Sequence, residues 1–104
     1  MKKLSLRPYP GTVILCRDRA EYLREARKHF QLDDPLHKNT QGRMRCSFEG
    51  ESPTFVLFAN APEYLAHEMS HVVLCLFEYV GIDPRDANGE PFCYLLSQLL
   101  LEAA

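Results

Sequence analysis

Apolar residues along this chain follow two kinds of pattern. Thr12-Val13-Ile14-Leu15-Cys16, after the turn residues Pro10-Gly11, and Thr54-Phe55-Val56-Leu57-Phe58-Ala59, after Ser52-Pro53, are short and nearly continuous apolar runs that predict strands. Residues 43–48 alternate polar and apolar and predict a third strand, joined to 54–59 through Glu49 to Pro53 as an antiparallel hairpin with one member more buried than the other. Elsewhere the spacing is helical. Asp18 with Glu21 forms a capping-box pattern, followed by a helix to about Phe30 with Leu23, Ala26 and Phe30 on its apolar face. Asn60 with Glu63 repeats the pattern, with Pro62 in the first turn; Leu65, Met69, Val72, Val73, Leu76 and Val80 then recur at helical spacing up to Gly81 and Pro84, which terminate the helix. Phe92, Leu95, Leu96, Leu99 and Leu100 mark a last helix from near Glu90 to about Leu101, and the polar segment 31–42 is a loop. The order β-α-β-β-α-α predicts an α+β fold, a small three-stranded mixed sheet with three helices packed on one face.

With 104 residues and no internal repeat, residues 1–104 make one domain. A content of 46% hydrophobic and 25% charged residues excludes a disordered chain. The net charge of -2 gives no reason to expect nucleic acid, because Arg17, Arg19, Arg24, Arg27 and Lys28 are interleaved with Asp18, Glu21 and Glu25 as on a solvated helix face. Glu68, Glu78 and Glu90 interrupt the most hydrophobic half, so no membrane span is expected. The start, residues 1–8, is basic but lacks the apolar stretch of a secretory leader, and a cytoplasmic location is the expectation. Cys16, Cys46, Cys75 and Cys93 form no C-x-x-C pair and read as reduced core residues.

The chemistry concentrates in Ala66-His67-Glu68-Met69-Ser70-His71-Val72-Val73. Helical residues four apart stand one above the other, so the imidazoles of His67 and His71 can converge on one ion, and Glu68 can lean over a water bound to it. A zinc ion brings the pKa of such a water towards about 7, and the carboxylate accepts its proton as hydroxide attacks a polarised carbonyl, which is why H-E-x-x-H signals metal-assisted hydrolysis. The plainer reading is two histidines and a glutamate on a solvated or half-buried helix face, which would leave a buried cluster needing a partner for every polar atom.

Two histidines leave a catalytic zinc site short of a third protein ligand. No histidine follows His71, and His29 and His37 lie far upstream and read as surface residues. Glu78 is roughly 10 Å along the same helix, too far for the same ion. Asp83 and Asp86 fall in the connecting loop, and Glu90 opens the next helix. For Glu90 to serve, residues 82–89 must return about 15 Å along the helix, which eight extended residues can span; its other role is to complement the helix dipole. Tyr94, one turn after Glu90, is either a hydroxyl that stabilises an oxyanion or orients Glu90, or a core-edge aromatic. Cys75 and Cys93 read as packing residues rather than thiolate ligands.

"HEMSH" with "NGEPFCYLL" (residues 88–96) resembles the zincin metallopeptidases, in the branch whose third ligand is a glutamate on the following helix, and in particular the very small zincin-like proteins of bacteriophages and prophages. The resemblance covers about residues 54–101. It implies a minimal zincin-like domain, zinc held by His67, His71 and Glu90, Glu68 as general base, and a sheet edge, residues 54–59 or their hairpin partner, that aligns an extended substrate. Two departures stand out: residues 91–101 contain no acid to orient a zinc-binding histidine, and the chain is too short to supply the second domain that walls the cleft of larger relatives. A shallow site of this kind suits a peptide or flexible protein segment, or a protein partner that completes the cleft. The leading expectation is therefore a zinc metallopeptidase; the alternative is a non-catalytic phage-type binding or assembly module on the same scaffold, and a regulator that acts on a repressor rests on family analogy alone.

Overall fold

The two apolar runs become the centre of the sheet. In a computed structural model of the chain, which describes residues 1–31 and 33–104, the elements are β1 (Lys2–Ser5), β2 (Thr12–Cys16), α1 (Arg19–Phe30), β3 (Gly42–Ser47), β4 (Thr54–Ala59), α2 (Pro62–Val80), a 3-10 turn (Asp86–Gly89) and α3 (Glu90–Ala103). Leu32, within the predicted loop 31–42, lies outside the described residues. The sheet order is β1-β2-β4-β3. β2 and β4 pair in parallel, Val13 opposite Phe55 and Cys16 opposite Phe58, while β3 is antiparallel to β4 as expected of the hairpin, Gly42 opposite Ala59.

Four strands stand where three were expected. The addition, β1, lies antiparallel to β2 with Lys2 opposite Leu15. Lys2-Lys3-Leu4-Ser5 has one apolar side chain, and Leu4 is the only one of the four that is buried. Polar edge strands resist pairing with other chains, and for the same reason leave no apolar run to read.

The helices cover both faces of the sheet rather than one. Val13, Phe55 and Leu57 pack with Met69, Val72, Val73, Leu76 and Phe77 of α2 and with Leu95 and Leu99 of α3. Ile14, Cys16, Val56 and Phe58 point the other way and enclose Tyr22 and Ala26 of α1. Side chains alternate across a strand, so a strand covered on both faces has no place for polar residues; the unbroken apolar character of β2 and β4 has this cause.

Asp18 caps α1, its carboxylate accepting the Glu21 backbone N–H at 2.8 Å. Glu21 itself leaves the solvated face expected for it: it is buried and accepts the Arg17 backbone N–H at 3.0 Å and the Arg17 guanidinium. The N-cap of α2 is Ala61, without a side-chain hydrogen bond, rather than Asn60. Asn60 is drawn instead to the loop before β3, its backbone N–H donating to the Gln41 carbonyl at 2.9 Å and its amide to Gln41 Oε1 at 3.3 Å. Gly81, with φ 83°, closes α2.

From there α3 runs back along α2. Near its start the Phe92 ring stands edge-on to Phe77 at 6.3 Å, and at its end Leu100 and Ala104 share a cavity wall with Leu65 and Ala66. The four cysteines are free; Cys93 is exposed, unlike the core residue expected. Among the described residues no helix is long and apolar enough to cross a membrane.

Candidate metal centre

The α2 helix sets His67 and His71 one turn apart on its open side, with both rings exposed. Their Nε2 atoms are 3.1 Å apart and the ring planes cross at 82°. With metal–nitrogen bonds of about 2.1 Å, that separation subtends an angle near 95° at a shared ion, within the range a four- or five-coordinate divalent cation accepts. One ligand atom from each of His67, Glu68 and His71 lies within 4.8 Å of the others, and among the described residues no further histidine, cysteine or acid joins this group.

Glu68 differs from the histidines because one residue turns it about 100° around the helix, towards β3. It is only 8% exposed. Its Cγ lies against Gly42, where a Cβ would stand 3.2 Å away. The Oε2 atom is buried and has no hydrogen-bond partner among the described residues. Leaving a carboxylate oxygen unpaired out of water is costly, and such exceptions ask for a ligand or a function. An unpartnered acceptor beside two convergent imidazole nitrogens fits a divalent cation; this donor set would hold zinc better than magnesium or calcium, which take oxygen ligands.

A groove of about 590 Å³ runs past the group, with Thr40 to Gly42 on one wall and Glu63, Tyr64, His67 and Glu68 on the other. The first wall is fixed from behind. Arg19 donates to the carbonyls of His37 at 2.9 Å, Lys38 at 3.2 Å and Thr40 at 2.8 Å. Further back, Asp34 accepts the Tyr22 hydroxyl at 2.8 Å and a pair of hydrogen bonds from each of Arg43 and Arg45, which stand on β3. Burial alone would raise the Asp34 carboxyl; the donors Arg45, Tyr22 and Arg43 outweigh it and hold it at about 2. Its own burial, and then the contact with Asp34, push the Tyr22 hydroxyl well above the ordinary phenol range.

Glu90 stands outside the group, exposed at the start of α3. Two features of the helix packing account for this. Phe92 is level with Phe77, six residues and about 9 Å of rise beyond His71, so residues 82–89 do not return along α2. They are taken up by the Asp86–Gly89 turn, in which Ala87, Asn88 and Gly89 have φ of 52°, 59° and 79°. The second feature is angular: Phe77, which meets α3, and His71 lie roughly 120° apart around α2. Tyr94 is 73% exposed and lines no part of the groove.

Cys75 lies on the β3 side of α2, near Cys46, whose thiol is pushed up to about 11 chiefly by burial. His29 and His37 are exposed, as expected. The groove adds Gly42, Glu63 and Tyr64, which no motif singled out; a glycine opening a strand and a tyrosine one turn before Glu68 were the available signals.

Comparison with models of known protein families, with curated proteins and with solved structures gives no match.

Proposed function

We propose that the chain is a zinc-dependent peptidase on a minimal zincin-like scaffold, with His67 and His71 as metal ligands and Glu68 as general base. The observation that carries the reading is the pair of Nε2 atoms 3.1 Å apart beside a buried, unpartnered Glu68 oxygen on the wall of an open groove. Bound zinc supplies Lewis acidity, acidifying water and polarising a carbonyl. Glu68 takes the proton from the attacking water and passes it to the leaving amine; burial against Gly42 keeps its carboxylate from turning into solvent. β3 is an edge strand, so an extended peptide can pair with its free backbone groups and pass the carboxylate. The shallow groove suits a flexible segment, or a protein partner that covers it.

The test is cleavage of unstructured peptides by the zinc-loaded chain, followed by mass spectrometry. Glu68→Gln is expected to retain zinc and to slow cleavage by about 10²-fold or more. Unchanged cleavage by this variant removes Glu68 as the base.

A second reading, a non-catalytic binding or assembly module, draws on the distance of Glu90 from the group and on the exposure of both imidazoles, which leaves room for ligands from another chain. Zinc-dependent self-association without peptide cleavage would favour it.

A further inference from the structure

The groove carries charge of one sign. Thr40, Gln41 and Gly42 on one wall are uncharged, and the other wall adds Glu63, Tyr64, His67 and Glu68; neither wall bears lysine or arginine. Glu68 belongs to the metal group, but Glu63 does not. Among the described residues none of the ion pairs involves Glu63. Glu63 lies in the first turn of α2, where the helix dipole favours a carboxylate, and the residue lines the groove. Behind the opposite wall, Arg19 is occupied with three backbone carbonyls and Arg43 with the Asp34 carboxylate.

Tyr64 follows Glu63 and projects beside Gly42, where a Cβ would lie 3.6 Å from the tyrosine Cβ. With no side chain at 42, Tyr64, 39% exposed as a residue, keeps an open flank at the start of the edge strand. An aromatic flank next to an unpaired carboxylate is the environment that receives a long aliphatic stem ending in a cation. The unpartnered, more than nine-tenths buried Glu68 on the same wall independently marks this groove as a ligand site.

We propose that Glu63 and Tyr64 form a selectivity pocket for a lysine or arginine side chain of a peptide lying along the free edge of β3. The inference rests on the peptidase reading only for where the peptide lies; the selectivity is a property of binding. Glu63 is a specificity residue, one turn away from the metal group and without a part in proton transfer.

The experiment measures binding, so that it separates from hydrolysis. Fluorescently labelled, otherwise neutral peptides carrying a single lysine, norleucine or glutamate are titrated by anisotropy against the full chain, zinc-loaded and with Glu68→Gln to prevent turnover. The lysine peptide is expected to bind about tenfold more tightly than its norleucine counterpart, with the preference falling as salt is raised. Adding Glu63→Gln should abolish the preference, and Glu63→Lys should transfer it to the glutamate peptide. Equal binding of lysine and norleucine peptides, a preference that survives Glu63→Gln, or no measurable binding of any lysine peptide overturns the pocket. Selectivity in a chain that cleaves nothing upholds the pocket and counts against the peptidase; cleavage without selectivity removes the pocket alone.

Discussion

Gly42 and Glu68 pack against each other across the gap between β3 and α2: a Cβ at position 42 would stand 3.2 Å from Glu68 Cγ and 3.2 Å from the Phe58 carbonyl oxygen. The main-chain oxygen belongs to the paired strand β4 and cannot give way, so a larger residue at 42 must push on the Glu68 side chain. Gly42→Val is expected to cost about 1–3 kcal/mol in thermal or denaturant unfolding, to retain zinc, and to lower peptide cleavage at least about tenfold through misplacement of the carboxylate. Full activity in this variant would show that Glu68 needs no support from β3.

Glu90→Ala tests the helix packing. A zinc ligand removed costs at least about tenfold in affinity, whereas a side chain level with the far end of α2 has no effect on the metal. Zinc affinity of Glu90→Ala, measured by competition with a chelator, is expected within about twofold of the parent chain. A large loss would mean that α3 slides along α2 when metal binds.

The contrast between these two positions marks what was legible in the amino-acid order. Within α2 the histidine spacing fixes the geometry by itself, since one turn of helix aligns the two rings, and the apolar runs of β2 and β4 locate the sheet centre. Glu90 depends on how α3 docks, and that is decided by Phe77 meeting Phe92 and by a turn in which Ala87 and Asn88 take positive φ. Asn88 and Gly89 favour the positive φ of that turn, but the level at which α3 meets α2 is set by the tertiary Phe77–Phe92 contact. β1 was hidden by its lysines, and Asn60 serves Gln41 rather than the helix end because a tertiary hydrogen bond outcompetes a cap worth about 1 kcal/mol. The placement of α1 opposite α2 was readable in retrospect from the lack of polar positions in β2 and β4.

Glu68→Gln has a consequence for stability as well as for catalysis. In the metal-free chain the carboxylate is buried with Oε2 unpaired, and replacing it with a neutral amide relieves the desolvation of a charge. The melting temperature of the metal-free variant is expected to rise, by the equivalent of about 1 kcal/mol, while cleavage is lost. A lower melting temperature would show that Glu68 stabilises the fold and is not held at its expense.

Acid should loosen the groove wall through Asp34. Its carboxyl is held at about 2, from an ordinary 3.8, because its arginine and tyrosine donors overcome its burial. A folded-state value below the unfolded one means that the stabilisation, on the order of 2 kcal/mol, is fully present above about pH 4 and is lost as pH falls through 2. Glu21, lowered to about 2 chiefly by its contact with the amino group of Met1 and the Arg17 backbone N–H, acts in the same direction. Asp34→Asn is expected to be destabilised at neutral pH and to show a flatter loss between pH 4 and 2 in denaturant unfolding. A parent-like acid profile in this variant would assign the acid sensitivity elsewhere.

In the proposed site, two imidazoles of one helix hold a metal that keeps positions open for water and substrate. X-ray absorption of the zinc-loaded chain measures this coordination directly. One zinc per chain is expected, bound by two imidazole nitrogens from His67 and His71, with oxygen at the remaining positions and part of it displaced by a hydroxamate. A closed shell of four nitrogen or sulfur ligands that a hydroxamate leaves unchanged, or zinc retained after both histidines are replaced by alanine, would contradict it.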